Sequence, residues 1–252
     1  MKFVTFNIRT EAQDDGVNRF YFRRGLILDR IEKEQPDIIG FQELKQEMFS
    51  YMKSHLLMLG YTLVGCGRGA DYKNEHNPIA FKTDKYELIG LDVSWLSETP
   101  YTPGSRYPVQ SSCPRIITHA ILKAEDEDTP FHVFNTHLDH REQDARVRGA
   151  KRVLEHIDHC LENAPFPVIL CGDFNAYPDT EEVKIIKNSS LGLTEVTSGI
   201  GTTYHGWGKS KEDQIDYIFV KGFESKAPIS LWSEDLNGVY LSDHYPVCAI
   251  LE

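Results

Sequence analysis

Residues 167–179 read PVILCGDFNAYPD. An apolar run climbs to Cys171, and then two polar side chains, Asp173 and Asn175, appear where the run stops. Pro178 closes the segment. Residues two apart on a strand share a face, so the strand would deliver a carboxylate and a carboxamide together at its C-terminal end. Turn chemistry offers a plainer reason, because Asp and Asn bond their own backbone in turns. Taken alone, the turn is the better explanation, and the rest of the chain has to decide.

Working outward, short apolar strands alternate with helical patterns. Strands are expected at KFVTFN, DIIGFQE, YTLVGCG, NPIAFK, YELIGLDVSWL, RIITHAILK, FHVFNTHL, IDYIFV and YPVCAIL. Helices are expected over 19–34, 46–59, 143–161 and 180–188; in the third, Val147, Ala150, Val153, Leu154, Ile157 and Leu161 recur at helical spacing. Several consecutive strands have no helix between them, which argues against a doubly wound sheet. Two sheets packed face to face with helices outside fit better. No domain boundary shows, so residues 1–252 are expected to form one domain. The loop 98–114 holds Pro100, Pro103, Pro108 and Pro114 and is long enough to be functional.

Composition narrows the function classes. The chain has 252 residues, 40% hydrophobic and 26% charged, as expected of a globular protein with a substantial core. No stretch is long enough to span a bilayer. The N-terminal MKFVTFNIRT starts a strand at once and has no small-residue cleavage site. Cysteines 66, 113, 160, 171 and 248 are odd in number and widely spaced, which argues against a disulfide framework or a zinc knuckle. A reducing, cytoplasmic setting is the simplest expectation. Twenty-seven basic against 38 acidic side chains leave a net charge of −11. Binding a long phosphate backbone calls for clustered Lys and Arg. Only Arg23–Arg24 and Lys151–Arg152 are paired, so a long nucleic-acid footprint is disfavoured.

Other strands also end on polar side chains. Asn7 ends the first, Glu43 the second, and His137 follows FHVFNT; Asp216 opens IDYIFV, and Asp243–His244 precede YPVCAIL. Each singly is better explained as a cap, a turn residue or a satisfied histidine. Together they are the side chains of a hydrolytic divalent-metal site, since burying unpaired carboxylates is costly without a cation.

The ordered set TFNIR, GFQE, NTHLDH, GDFNAYP, QIDYIFV and SDHYPV resembles the endonuclease/exonuclease/phosphatase superfamily, with its deoxyribonuclease I-like fold, from residue 3 to residue 250. The resemblance implies a four-layer α/β sandwich, two mixed β-sheets with helices outside, and divalent-metal-dependent phosphoester hydrolysis. It implies Glu43, Asn7 and Asp243 as ligands of Mg²⁺, with Mn²⁺ as an alternative. His244 becomes the general base held by Asp216. Asp173 and Asn175 orient water and phosphate, His137 faces a phosphate oxygen or the leaving group, and Arg115 reaches the phosphate. Trp95, Tyr204, His205 and Trp207, on WLSETP and TTYHGWG, are expected to border the substrate. The expected substrate is a small phosphorylated metabolite, a phosphomonoester such as a sugar phosphate. The alternative is an endo- or exonuclease acting on short or single-stranded nucleic acid. A distant alternative is a metallo-β-lactamase-like zinc hydrolase, because NTHLDH resembles H-x-H-x-D-H with Asn135 in place of the first His. That reading leaves GDFN and SDHYPV unexplained.

Overall fold

The computed structural model describes residues 1–210 and 213–252. In chain order the elements are β1 (Lys2–Asn7), α1 (Phe20–Glu34), β2 (Ile38–Gln42), α2 (Gln46–Met58), β3 (Tyr61–Val64), β4 (Ile79–Lys82), β5 (Tyr86–Trp95) and β6 (Ile116–Ala124). Then follow β7 (Phe131–His137), α3 (Gln143–Asn163), β8 (Val168–Asp173), α4 (Glu181–Lys187), β9 (Thr194–Glu195), β10 (Asp216–Lys221), β11 (Ser230–Leu231) and β12 (Val247–Ile250). A short 3₁₀ segment, Gln13–Asn18, precedes α1. That segment and the two-residue strands β9 and β11 escape the sequence reading, because such short elements carry no periodicity.

One mixed sheet has strand order β11-β12-β1-β2-β4-β3, the other β5-β6-β7-β8-β10-β9. Period-two alternation sorts each strand's side chains into two layers. From β1, Val4 and Phe6 pack against α1 and α2 with Ile27, Ile31, Met52 and Leu56, while Phe3 turns to the opposite sheet. From β8, Val168 and Leu170 pack against α3 and α4, while Ile169 and Cys171 face the first sheet. The order is therefore helix, sheet, sheet, helix. The sheets approach so closely at Gly40 that an added Cβ would lie 2.5 Å from Cys171 Sγ.

Strand direction gathers the polar ends. β1 and β2 run parallel, as do β7 and β8, so Asn7, Gln42, His137 and Asp173 finish on one edge of the sandwich. β12 is antiparallel to β1, β10 to β8, and β6 to β7. Their N-terminal ends, carrying His244, Asp216 and Arg115, reach the same edge. The polar residues also continue the face that lies between the sheets. Val133, Asn135 and His137 alternate onto it, as do Ile169, Cys171 and Asp173. The site is thus the interior of the sandwich where hydrocarbon gives way to polar groups.

Candidate active site

The segment that opened the question holds both answers. Gly172 has φ +149°, and a Cβ there would lie 2.0 Å from the Thr136 carbonyl oxygen, so only glycine lets β8 lie this close to β7 before Asp173. Asp173 Oδ1 accepts the Asn175 N–H at 2.8 Å, and Asn175 takes φ +48°. That is the turn expected of Asp and Asn. The second oxygen, Oδ2, is left for the cleft. It accepts from Asn7 Nδ2 at 2.8 Å and lies 3.4 Å from His137 Nε2 and 3.8 Å from His244 Nε2.

His244 Nδ1 donates to Asp216 Oδ2 at 2.8 Å, which fixes the tautomer and turns Nε2 toward Asp173. Asp216 is set by Thr203 Oγ1, which accepts the Ile215 and Asp216 N–H groups. Glu43 sits just past β2 with φ +68°. Its Oε1 accepts from Asn7 Nδ2 at 3.0 Å and its Oε2 from the Thr10 N–H at 2.9 Å. Asp243 is buried, accepts from Ser242 Oγ, and lies 3.6 Å from Arg9 Nε.

These groups line a cleft of about 370 Å³ with two unlike walls. Glu43, Asp173, Asp243 and His244 form the acidic side. Arg68, Arg115, His137 and His140 form the other. Arg115 is buried and donates through Nη2 to His140 Nδ1 at 2.8 Å, while its Nε and Nη1 make no hydrogen bond and Nε lies 3.7 Å from Asp139 Oδ2. Arg68 pairs with Glu75 at 2.7 Å. A larger hollow of about 650 Å³ opens on the opposite edge of the sandwich, beside Asp37, Tyr86 and Phe223, and no described histidine lines it.

Electrostatics follow from this crowding. Burial drives the Asp173 carboxyl up to about 7, with Asp216 adding to the effect and His244 opposing it. Burial also raises Asp243, and the Glu43 charge adds to it. Burial alone would raise Glu43 as well, but the Thr10 N–H, Asn7 and Arg9 bring it below its usual value. Burial would lower His244, yet Asp216, Asp173 and Asp243 hold its proton and push it up to about 10. His137 is held well below its usual value by burial and by the Arg115 and Arg68 charges, and so stays neutral. Two buried carboxyls raised together mark negative charge that the protein alone does not neutralise. Glu43, His137 and Asp173 place one donor atom each within 4.8 Å of the others, as do Asp173, Asp216 and His244, so these groups could hold a metal ion that neutralises it.

Several expected residues lie elsewhere. Trp95 is buried in the core at the end of β5, its indole N–H donating to the Arg68 carbonyl at 2.7 Å. It supports the basic wall from behind. The half-buried Trp207 donates to Asp15 and stacks against Arg23, and it does not line the cleft. His205 is buried against Tyr245 with ring centroids 4.0 Å apart, and of the four residues expected at the cleft only Tyr204 lines it. The Asn7 side-chain Oδ1 accepts the Arg9 N–H, so the Asn7 amide acts here as a donor tying Glu43 to Asp173. The Asn175 amide is spent on the Leu138 carbonyl at 3.1 Å. Sequence reading missed Arg9, Thr10, Arg68, Glu75, Cys113 and His140 in the lining. Arg68 lies in the glycine-bracketed turn GRG (67–69) and carried no signal beyond its charge. The proline loop contributes Cys113, and its Ser111 hydroxyl donates to Asp139. Asn135 is fully buried and bonds the Phe41 and Pro78 carbonyls of the first sheet, while Asp139 accepts the Arg141 and Glu142 N–H groups at the start of α3. Neither is placed to serve a binuclear zinc run.

The model of the Endonuclease/Exonuclease/phosphatase family matches residues 4–244. The chain belongs to that family. A solved family protein from Bacteroides vulgatus is 28% identical with TM-score 0.91, covering 100% of this chain and 98% of that one. The mannosyl-6-phosphatase of Bacteroides thetaiotaomicron is 27% identical with TM-score 0.89, covering 100% and 99%. Nocturnin of Rattus norvegicus is 27% identical over 213 residues, 77% of this chain and 47% of its own, so the chain spans about half of that relative. Both solved structures share the two-sheet sandwich. The endonuclease/exonuclease/phosphatase family includes phosphatases and nucleases, and membership makes phosphoester hydrolysis the general reaction. Among the described residues, no helix is long and apolar enough to cross a membrane.

Proposed function

We propose that this protein is a divalent-metal-dependent phosphomonoesterase acting on a small phosphorylated metabolite, with sugar phosphates foremost. One observation carries the reading: a cleft of about 370 Å³ brings the carboxylates Glu43, Asp173 and Asp243 together with the cations Arg68 and Arg115, and two donor nitrogens of the buried Arg115 make no hydrogen bond, one of them only 3.7 Å from Asp139. Buried donors without partners are costly, and a phosphate's oxygens meet that cost. The volume falls in the roughly 300–1,000 Å³ range of small-molecule sites. A net charge of −11 disfavours a long polyanion. The likeness to a mannosyl-6-phosphatase supports the sugar-phosphate class.

In this reading Glu43 and Asp243 hold Mg²⁺ or Mn²⁺, with Asp173 beside them and Asn7 fixing Glu43 against Asp173. When bound, the cation offsets the charge of the phosphate and draws the surrounding negative field off His244. His244 Nε2 takes a proton from the attacking water, and Asp216 keeps the imidazole in the required tautomer and stabilises it once charged. Asp173 Oδ2, 3.8 Å from that nitrogen, orients the water. Arg115 and Arg68 grip phosphate oxygens, and neutral His137 faces the leaving group. Asn175 holds the turn that presents Asp173.

The test is a screen in Mg²⁺ and in Mn²⁺ against sugar phosphates, nucleotides, generic phosphodiesters and labelled oligonucleotides, with Glu43→Gln alongside. The expected result is cleavage of phosphomonoesters, absent in Glu43→Gln, with kcat/KM nearly flat between 50 and 200 mM salt. A protein neutralising 6–10 phosphates loses roughly 10³–10⁵ in affinity over that range. Preferential cleavage of oligonucleotides with a steep salt slope establishes the nuclease instead. Zn²⁺-dependent activity that survives Glu43→Gln overturns the metal assignment.

A further inference from the structure

The outer face of the second sheet, beneath α3, carries a second convergence of donor atoms. His156 and Cys160 are four apart on α3 and share its inner face. They meet His119, at the centre of β6, whose cross-strand neighbour on β5 is Asp92. One donor atom each from His119, His156 and Cys160 falls within 4.8 Å of the others.

The hydrogen bonds decide which atoms are bare. His132 Nε2 lies 2.8 Å from the Ala164 carbonyl, which only accepts, so that nitrogen carries the proton. His132 Nδ1 is therefore an acceptor, and His119 Nε2, 2.8 Å away, donates to it. That leaves His119 Nδ1 with a free lone pair, aimed at Cys160 Sγ 3.7 Å away. A carbonyl behind one histidine and that histidine behind another is the outer support that metal-bound imidazoles use to fix their tautomer. His156 Nε2 is buried without a hydrogen-bond partner and lies 3.6 Å from Asp92 Oδ2. A tetrahedral zinc with Zn–N near 2.0–2.1 Å and Zn–S near 2.3 Å holds its nitrogen and sulfur about 3.6 Å apart. The observed 3.7 Å needs almost no adjustment.

We propose that His119, His156 and Cys160, with Asp92 in the outward fourth position, bind one borderline-soft divalent cation, Zn²⁺ foremost, as a clamp between α3 and the second sheet. Nitrogen and thiolate donors select Zn²⁺ over Mg²⁺, so this site and the oxygen-lined cleft take different ions. Binding releases the Cys160 thiol proton to solvent, and the thiolate and Asp92 charges balance the metal. Three side-chain donors, with the Asp92 carboxylate 3.6 Å from His156 Nε2 turning in as the fourth, would close the coordination shell and make the site structural.

The test uses the full chain, stripped with chelator, kept reduced and titrated with Co²⁺ alone. The expected result is one equivalent that gives a thiolate-to-cobalt charge-transfer band and the strong visible bands of tetrahedral cobalt, both erased by Zn²⁺, beside any cobalt taken up by the cleft. Cys160→Ser removes the charge-transfer band, His156→Ala weakens binding at least tenfold, and Glu43→Gln leaves both signals unchanged. Zn²⁺ at a hundredfold excess over Kd raises the wild-type Tm by about 5–10 °C more than it raises that of Cys160→Ser. Metal-free melts of wild type and variants control for folding. The proposal falls if wild type shows no thiolate band, if the band persists in Cys160→Ser, or if Zn²⁺ stabilises both proteins equally. In that case the Cys160 thiol merely hydrogen-bonds His119.

Discussion

His132 and His137 lie on one strand, five residues apart, and so on opposite faces of it. His137 looks into the cleft, 3.4 Å from an Asp173 oxygen and beside Arg115. His132 looks under α3, bonded to His119 and to the Ala164 carbonyl, with Phe134 stacked close by. The cleft pairs imidazoles with carboxylates, and one of them, His244, is pushed up to about 10. The buried face pairs imidazoles with one another, and burial with the neighbouring His132 and His156 takes His119 down to about 3. The same side chain becomes a proton acceptor or a packing element according to the charges its face meets. Position along the strand matters too, since mid-strand histidines are enclosed by both neighbours and terminal ones open onto the edge.

The contrast predicts separable mutants. His244→Ala should lower kcat per folded molecule by roughly 10²–10⁴-fold. Asp216→Asn should cost less. It removes the charge that raises His244, so the ascending limb of the pH–rate profile should move toward acid; a shift toward alkali would break the assignment of the pair. The double variant should be little worse than His244→Ala, because the two act as a unit. On the other face, Phe134→Ala should cost about 3–5 kcal/mol in denaturant unfolding. Its kcat per folded molecule should stay near wild type. Loss of both together would mean the faces are not independent.

A finer test uses Mg²⁺ on stripped protein. Asp173 rises from 3.8 to about 7 on folding, and Asp243 also rises. Carboxyls raised on folding favour the folded state below the unfolded value, and that contribution is lost as pH rises through the folded one. In chelator the cleft's share of stability should therefore fall between about pH 4 and pH 7. Mg²⁺ should raise Tm most at pH 8 and progressively less toward pH 5; an equal rise at both would contradict this account. The smallest effect should come from Trp207→Ala. Its indole meets Asp15 and Arg23 rather than substrate, so kcat/KM should change less than about threefold.

Much of this was legible in the chain. Strand ends carrying Asn7, Glu43, His137, Asp173, Asp216 and Asp243–His244 stand out because a polar residue interrupts an apolar run, and strand direction then gathers them. Loop residues gave no such signal. Trp95 and Trp207 look alike as aromatic letters near turns, and only the fold shows one sealed in the core and the other set against Arg23. Arg68 reaches the cleft from a turn whose path depends on the Arg68–Glu75 pair. The donors under α3 escaped a search for cysteine spacing because they come from β5, β6 and α3, far apart in sequence.

Arg23 lies fully buried and donates to the carbonyls of Asn18, Ile8, Arg9 and Leu241, the last 218 residues away. β1 likewise pairs with β12. Contacts of such sequence separation require closure of nearly the whole chain, and loop-closure entropy makes them late and slow to form. The second sheet, whose strands β5 to β8 pair as sequence neighbours, has a shorter route to its native pairing. During refolding, secondary structure over β5–β8 should therefore recover ahead of catalysis, and the cleft should be among the last parts of the molecule to acquire its shape.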